Sequence, residues 1–279
     1  MKPADFSRFI SGDVMCMLCP HHCRLALGET GICRVRRHEP EGLVSLSYGK
    51  ISSVQIDPIE KKPLARFMSG TETYSIGSYG CQLRCPYCQN YHLAMEIPKL
   101  WKITPQTIIE QALQAGTPSI SYTYNEPLIN YEFVIETATL AKDAGLYNIL
   151  VTNGYIDPEP LKTLLPTIDA MNIDIKSFRD RTYRKMCGGS LKPVLETVKT
   201  ANKSCHVEVT TLLVTNMHTM EEMEELVDWI AHISADIPLH VSRYFPRYRW
   251  HEPPTNLNWV YEIVEMAKRK LTHVYAGNC

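Results

Sequence analysis

Three cysteines, Cys81, Cys85 and Cys88, constrain this chain more than any other feature of its sequence. Their C-x₃-C-x₂-C spacing lies in a loop short enough for three thiolates to converge on one metal centre. Zinc usually takes four ligands, or three including histidine, in spacings of another kind. Cuboidal iron–sulfur clusters usually take four cysteines, so three thiolates leave one iron open to another ligand. Three unrelated core cysteines are the alternative.

The residues around these cysteines resemble those of a known superfamily. The stretch Cys81-Gln-Leu-Arg-Cys-Pro-Tyr-Cys-Gln-Asn90, with the aromatic Tyr87 before its last cysteine, resembles the cluster loop of radical S-adenosylmethionine (SAM) enzymes. The resemblance implies a [4Fe–4S] cluster on the three cysteines, with SAM chelating the open iron. In that superfamily the cluster donates an electron that breaks SAM to a 5′-deoxyadenosyl radical, which abstracts hydrogen from the substrate.

A second group of cysteines precedes the first and supplies a complete set of four metal ligands. Its members, spaced C-x₂-C-x₃-C-x₉-C, are Cys16, Cys19, Cys23 and Cys33. Gly28 and Gly31 permit the turn that brings the last cysteine back to the others. The segment has few large apolar residues, so a bound metal is expected to stabilise its fold. Zinc and a second iron–sulfur cluster both fit, His21 and His22 are spare candidate ligands, and four unrelated cysteines are the alternative.

From about residue 74 the sequence alternates between strand-like and helix-like segments. Strands are predicted at 74–78, 119–123, 147–151, 170–175, 206–214, 239–242 and 273–276, with helices between them. Such alternation predicts a parallel sheet, and six or more units indicate a barrel. The predicted fold class is therefore α/β, a partial (β/α)6 TIM-like barrel over residues 71–279. Residues 1–70 are predicted to form a Cys-rich, metal-binding extension that includes a hairpin at 43–56.

Polar residues follow the predicted strands at the end where barrel enzymes carry their chemistry. They are Asn125 and Glu126 after the second strand, Thr152 and Asn153 after the third, and Asp174 and Lys176 at the fourth.

By resemblance, Glu126 corresponds to the Glu of the superfamily's Gly-Gly-Glu motif, which binds the amino group of SAM. A carboxylate suits an ammonium group. Thr152 and Asn153 could bond the ribose or the carboxylate. Asp174 and Lys176 lie two apart on a strand and so face the same side. Lys176 can then neutralise the SAM carboxylate, with Asp174 orienting it. For each residue alone, a hydrogen-bonded network without a ligand is the alternative.

Several motifs together resemble a narrower group. They are Cys-Pro-His-His-Cys23, Gly-Ile-Cys-Arg-Val-Arg36, Asp-Pro-Ile-Glu-Lys-Lys-Pro-Leu64, Thr-Tyr-Asn-Glu-Pro127, Val-Thr-Asn-Gly-Tyr155 and Tyr-Phe-Pro-Arg-Tyr248. The combination resembles the radical SAM protein of the AmmeMemoRadiSam system. The cluster loop itself resembles that of the pyruvate formate-lyase activating enzymes, which install a glycyl radical on a partner protein. Activating enzymes carry Asp where this chain has Val151, and a His after the sixth strand where residues 243–248 have none. Both departures weaken the transfer of glycyl-radical activity.

Charge and cysteine content set limits on partners and location. The formal net charge of −1 gives no indication of a basic surface, so nucleic acid is not an expected partner. No stretch has the length and apolarity of a membrane span or signal core, so a cytoplasmic protein is expected. In that compartment ten cysteines indicate metal or redox chemistry rather than disulfides.

Three functions stay open at this point. The first is a radical SAM enzyme acting on a protein or peptide, with glycyl-radical activation as a special case and a reductant such as flavodoxin or ferredoxin as its partner. The second is a radical SAM enzyme acting on a small molecule or a modified nucleotide. The third is a non-catalytic iron–sulfur or zinc protein. The strand-end polar residues count against the third, because an electron carrier needs no SAM pocket.

Overall fold

Repeated strand–helix units build most of the chain, which the computed structural model describes over residues 1–279. The strands are β1 Lys2–Pro3, β2 Ser7–Ile10, β3 Asp13–Cys16, β4 Arg24–Leu25, β5 Arg36–Glu39, β6 Gly42–Ser45, β7 Lys50–Ile51, β8 Ser53–Pro58, β9 Glu72–Gly77, β10 Trp101–Lys102, β11 Ser119–Tyr122, β12 Tyr147–Thr152, β13 Ala170–Asp174, β14 His206–Leu213, β15 Leu239–Arg243 and β16 Val274–Gly277. The α-helices are α1 Tyr91–Ala94, α2 Pro105–Gln114, α3 Tyr131–Asp143, α4 Pro158–Leu164, α5 Asp180–Thr182, α6 Leu191–Ala201, α7 Met220–Ile233 and α8 Leu257–Ala267. A π-helix, Tyr183–Cys187, follows α5 directly.

One large sheet forms the centre of the fold. Strands β9, β11, β12, β13, β14, β15 and β16 follow one another across it and pair in parallel. Strand β8 pairs antiparallel with β9 at one edge, and no ladder joins β8 to β16. Each parallel strand up to β15 is followed by at least one helix before the next. The prediction of a partial (β/α)6 barrel is confirmed.

The helices form where the sequence supplies caps and an apolar stripe. Thr104 caps α2, its hydroxyl accepting from the main-chain N–H of Thr107 at 3.2 Å, and Pro105 occupies the first helical position, where its missing N–H costs nothing. Helix α6 buries Leu191, Val194 and Val198, a spacing that places them on one face towards the sheet. None of the α-helices is both long and apolar enough to span a membrane.

A buried carboxylate closes the amino-terminal end of the barrel. Glu208, on β14, accepts hydrogen bonds from the main-chain N–H groups of Ala65 and Arg66 and contacts His206 and His240 at 2.9 and 2.6 Å. Burial alone would raise the pKa of Glu208, but these hydrogen bonds lower it to about 2. The carboxylate therefore stays ionised and holds the loop that covers this end.

Residues 1–45 form two small three-stranded sheets that pack against the barrel. Their strand orders are β1-β6-β5 and β2-β3-β4. Val14, Leu18 and Leu25 belong to the same buried cluster as the barrel core. The buried Arg36 forms an ion pair with Glu132 of α3. The apolar side chains of this segment are therefore buried against the barrel. The segment's own sequence, which has few apolar residues, did not indicate this packing.

The predicted hairpin at residues 43–56 is wrong. Strand β6 pairs with β5 and β1, whereas β8 pairs with β9 of the barrel. Gly49, with a φ of +66°, turns the chain between these two partners. A period of two indicates strands without identifying their partners, so the alternation could not settle the pairing. Strand β8 thus belongs to the barrel sheet, and the division of the chain at residue 70 stays a prediction.

The amino-terminal segment and the cysteine loop touch most closely at Gly80. Its φ is +87°, and a Cβ atom there would lie 2.6 Å from the carbonyl oxygen of Cys33 and 2.9 Å from a methyl group of Val35. A carbonyl oxygen of the main chain cannot move aside as the end of a flexible side chain can. Only glycine therefore fits between the two cysteine-bearing segments.

We expect Gly80→Ala to lower the free energy of unfolding by about 2–5 kcal/mol, from about 1–2 for left-handed backbone and about 1–3 for overpacking. Gly145→Ala is the matched control, because Gly145 has a φ of +79° and nothing within 4 Å of its Cβ position. The control should lose only about 1–2 kcal/mol. Urea denaturation of both variants in the same metal-loading state measures the difference, and equal losses would contradict the close contact.

Candidate functional site

A cavity of about 280 Å³ opens at the carboxyl ends of the parallel strands. It is lined by the three loop cysteines, by the aromatic residue of the same loop and by every strand-end residue that the sequence singled out. These are Cys81, Cys85, Cys88, Tyr87, Asn125, Glu126, Thr152, Asn153, Asp174 and Lys176. Parallel strands bring their carboxyl ends to one edge, which is why residues far apart in sequence meet here.

Hydrogen-bond donors surround the thiols of the loop after β9. The main-chain N–H of Leu83 donates to Cys81 Sγ at 3.3 Å, and Asn153 Nδ2 lies 3.6 Å from the same sulfur. Burial raises the pKa of Cys81 well above its ordinary value and that of Cys88 to about 11. Donors aimed at sulfur favour thiolates, and burial without a cation disfavours them. The loop therefore suits thiolates that share a bound cation.

The three thiols border the cavity and do not meet at a point. No three Cys, His, Asp or Glu side chains of the structure lie close enough together to share one metal ion. A cuboidal cluster spreads its irons over a cube, so its thiolates stand further apart than the ligands of a single ion. Together with the open space beside the thiols, this arrangement fits a cluster with a further ligand better than it fits a lone ion.

Side-chain amides fasten the cysteine loop to the strand ends. Asn125 Oδ1 accepts from the main-chain N–H of Ser78 at 2.8 Å, and its Nδ2 donates to the carbonyl oxygen of Gly80 at 3.2 Å. Gln82 Nε2 donates to Asn153 Oδ1 at 3.2 Å and to the carbonyl oxygen of Tyr155 at 2.9 Å. The loop is thereby held to the ends of both β11 and β12.

Glu126 is a buried carboxylate beside the cavity. It accepts from the hydroxyl of Thr152 at 2.6 Å and from the main-chain N–H groups of Asn153 at 2.9 Å and Leu128 at 3.0 Å. Burial raises the pKa of Glu126 to about 7, although these hydrogen bonds and the charge of Lys176 oppose the rise. Because the hydroxyl of Thr152 donates to this carboxylate, Thr152 helps to position Glu126.

Asp174 and Lys176, which also line the cavity, form an ion pair with Nζ and Oδ2 2.9 Å apart. Burial disfavours the charged form of Lys176, but the carboxylate of Asp174 and the nearby Cys85 outweigh it and raise the pKa of the lysine. The lysine therefore stays cationic. Its charge also acts on Cys85 and Cys88, whose thiolates it favours.

Cys187 lies beside the cysteine loop, a position that the sequence did not indicate. It ends the π-helix, is fully buried, and lies 3.4 Å from the hydroxyl of Tyr87. Its thiol neighbours that of Cys85, which lowers the pKa of Cys187. No spacing in the sequence signals this contact, because the two cysteines come from separate strand–helix units.

Tyr124 lines the cavity, although the sequence did not single it out. Its φ is +70°, a conformation that favours glycine, and its hydroxyl donates to Asp57 Oδ2 at 2.5 Å. Lys62 Nζ lies 2.7 Å from the same carboxylate and 4.7 Å from the centre of the tyrosine ring. Lys62 is therefore buried and paired with Asp57.

Known proteins resemble this chain in sequence and in fold. Residues 75–230 match the family described as the Radical SAM superfamily. An uncharacterized protein of Methanocaldococcus jannaschii is 40% identical, over 100% of this chain and 85% of its own length. The pyruvate formate-lyase-activating enzyme of Listeria monocytogenes is 26% identical, over 53% of this chain and 61% of its own length. The crystal structure of Streptococcus suis SuiB bound to S-adenosylmethionine shares the fold, with a TM-score of 0.59 and 17% identity over 72% of this chain and 48% of SuiB.

We expect Asn125→Ala to loosen the cysteine loop, since it leaves the Ser78 N–H and the Gly80 carbonyl without their partner, at about 1–3 kcal/mol per unpaired buried group. Hydrogen exchange should quicken in residues 78–90 and stay unchanged at the closed end of the barrel around Glu208. Asn125→Asp, which keeps the acceptor for Ser78, should show a smaller change. Unaltered exchange in residues 78–90 of the alanine variant would show that the amide does not hold the loop.

Proposed function

This chain belongs to the radical SAM superfamily, and from that premise we propose an enzyme that holds a [4Fe–4S] cluster on Cys81, Cys85 and Cys88 and acts on a protein or peptide. When bound, the cluster and SAM supply an electron and a 5′-deoxyadenosyl radical for hydrogen abstraction. The observation that carries the proposal is the single cavity lined by three thiols, a buried carboxylate and a lysine.

The charged residues of the cavity suit the two ends of an amino acid. Glu126 provides a carboxylate for the amino group of SAM, held in place by Thr152 and by the N–H of Asn153. Lys176, oriented by Asp174, provides a cation for the carboxylate of SAM. Charge-assisted hydrogen bonds of this kind are about twice as strong as neutral ones. Val151 lines the cavity where activating enzymes have Asp, so no carboxylate for a monovalent cation stands at that position.

A rim of aromatic and arginine side chains beside the cavity supports a protein or peptide substrate. Phe245, Arg247 and Arg249 are exposed on the segment after β15. Tyr248 stacks on Tyr91 with ring centres 4.8 Å apart. The main-chain N–H of Arg249 donates to the carbonyl oxygen of Pro86 at 2.9 Å, which ties this rim to the cysteine loop. Aromatic residues and arginine are enriched in protein interfaces.

Activation of a glycyl-radical partner is the special case that the relative named pyruvate formate-lyase-activating enzyme suggests. A low-potential reductant such as flavodoxin or ferredoxin would supply the electron. The test is anaerobic turnover of the reconstituted chain with SAM, dithionite and candidate protein partners. A change in the mass or radical signal of a partner supports the proposal, whereas turnover with small molecules alone would reject a protein substrate.

We expect the triple replacement of Cys81, Cys85 and Cys88 by Ala to abolish 5′-deoxyadenosine formation and the visible absorbance of the cluster, because no thiolate then remains to hold it. Chromatography of the reaction products and the absorption spectrum measure the two losses. The double variant Cys205→Ala/Cys279→Ala is the control, since neither thiol lines the cavity. Formation of 5′-deoxyadenosine by the triple variant would refute the assignment.

We expect Glu126→Gln and Lys176→Met to weaken SAM binding by about 10–100-fold each while the iron content is unchanged, because each removes one charge-assisted contact of about 1.5–3 kcal/mol. Anaerobic calorimetry measures the affinity. Lys162→Met, on an exposed surface away from the cavity, is the matched control and should bind SAM normally.

The same two variants differ in their expected response to pH. Because burial raises the pKa of Glu126 to about 7, its carboxylate ionises through neutral pH, and only the ionised form attracts an ammonium group. Affinity for SAM should therefore rise about tenfold from about pH 6 to about pH 8, and this rise should vanish in Glu126→Gln but persist in Lys176→Met. Normal affinity for SAM in both variants would show that Glu126 and Lys176 have structural roles only.

A further inference from the structure

A strained turn joins strand β11 to the buried carboxylate of Glu126. The main-chain N–H of Asn125 donates to the carbonyl oxygen of Thr123 at 2.9 Å, and the residue between them, Tyr124, has a φ of +70°. A hydrogen bond across two residues with a positive φ at the centre defines the rare, strained form of the γ-turn. Such strain persists only where the surrounding structure holds it, and it is concentrated at active sites and ligand clamps. The turn therefore indicates a role for Tyr124, which lines the cavity.

The side chain of Tyr124 runs back along β9, towards the start of that strand. Its ring packs on Gly77, where an added Cβ atom would lie 2.8 Å from Tyr124 Cδ2. The backbone of Gly77 is not left-handed, so the close approach of neighbouring atoms is what requires glycine there. The hydroxyl of Tyr124 reaches Asp57 on β8, which pairs with Thr73 near the start of β9. Tyr124 is thus held at both ends, by its ring and by its hydroxyl.

Asp57 is an ionised acceptor for this hydroxyl. Lys62, which is 3% exposed, places Nζ 2.7 Å from Asp57 Oδ2, the same oxygen that accepts from Tyr124 at 2.5 Å. Burial acts to raise the pKa of Asp57, but hydrogen bonds from Lys62 and Tyr124 outweigh it and lower the pKa to about 2. Hydrogen bonds to ionised groups are about twice as strong as neutral ones. The segment Asp-Pro-Ile-Glu-Lys-Lys-Pro-Leu64, which the proposed SAM contacts do not use, thus supplies both the carboxylate and the lysine.

The same turn contacts the cysteine loop. The carbonyl oxygen of Tyr124 accepts from Asn90 Nδ2 at 2.8 Å, two residues after Cys88. Asn125, the next residue of the turn, holds the beginning of that loop through its side-chain amide. Glu126 follows directly and points its carboxylate at the cavity. The conformation of one turn therefore decides where the carboxylate lies relative to the thiols.

We propose that Tyr124 is a positioning residue for the SAM site and that Asp57, paired with Lys62, is its anchor. The proposal rests on the proposed function, because the group that Tyr124 positions is the carboxylate of Glu126. The anchored hydroxyl keeps the turn in its strained form, and the turn keeps the carboxylate and the cysteine loop in place for one ligand. Tyr124 acts through these neighbours, so its role is distinct from the charged contacts of Glu126 and Lys176.

Tyr124→Phe tests the anchor while the ring stays in place. The affinity of the reconstituted chain for SAM should fall by about 3–30-fold at unchanged iron content, because the turn relaxes when its hydroxyl contact is lost. Tyr122→Phe is the matched control, since Tyr122 is buried on the same strand and donates to Asn148 Oδ1 at 3.0 Å but does not line the cavity. It should lower the free energy of unfolding and leave SAM affinity unchanged. Normal affinity in Tyr124→Phe, or an equal loss in both variants, would overturn the proposal.

Hydrogen exchange of the same reconstituted chains without SAM separates this proposal from the proposed function. The amide of Asn125, which closes the turn, and those of residues 88–92 should exchange faster in Tyr124→Phe than in the wild type or in Tyr122→Phe. Unchanged exchange would refute the anchor whether or not SAM binds. A wild-type protein that binds no SAM would refute the proposed function, and faster exchange in Tyr124→Phe would still support the anchored turn.

Paired replacements of the anchor test whether the tyrosine depends on its acceptor. Asp57→Asn/Lys62→Met removes both charges together but keeps an amide oxygen for the Tyr124 hydroxyl, and it should retain SAM affinity within about threefold. Asp57→Ala/Lys62→Met removes the acceptor and should lose as much affinity as Tyr124→Phe. Adding Tyr124→Phe to the alanine pair should weaken binding no further, because both changes break the same hydrogen bond. Equal losses in the two pairs, or an additive loss in the triple variant, would overturn the link between Asp57 and Tyr124.

Discussion

The parallel hydrogen-bond ladder from β9 to β16 is the interaction on which the rest of the molecule depends. It aligns Tyr122 with Leu150 and Thr152 with Ile173, so that the residues after each strand arrive at one edge. Side chains alternate along each strand, and on β14 this places Glu208, Thr210 and Leu212 on one face. The first closes one end of the barrel and the other two line the cavity at the opposite end. A slip of one residue would exchange these faces.

The ladder positions the strand ends, but it does not hold the cysteine loop, which has no regular secondary structure between Gly77 and Tyr91. That loop depends on contacts from three directions. Asn125 fastens its beginning, Gln82 joins it to the loop after β12, and Gly80 packs against the carbonyl oxygen of Cys33. The amino-terminal segment is therefore part of the support of the site, although it is remote from the sheet in sequence order.

The sequence predicted the barrel and its strand ends because alternation and caps are local properties. Glu126, Asn153 and Lys176 could be placed at one mouth from strand order alone, and the structure brings them to one cavity. Contacts between distant segments could not be predicted in this way. The partner of β8, the burial of Lys62 against Asp57, and the position of Cys187 beside Cys85 each depend on tertiary packing, which leaves no periodic signal in one sequence.

Two buried glutamates of the same barrel show what distinguishes a structural carboxylate from one with a place for a ligand. Burial acts to raise the pKa of both carboxyl groups. For Glu208, hydrogen bonds from two histidines and two main-chain N–H groups outweigh burial, and the net pKa is about 2. Glu126 has two N–H groups and one hydroxyl, and its pKa rises to about 7. The structure thus gives Glu208 two histidine partners and leaves Glu126 with no basic side chain in direct contact. An ionised carboxylate in a buried site is stabilised by a partner of opposite charge, so the environment of Glu126 suits the ammonium group that we propose it binds.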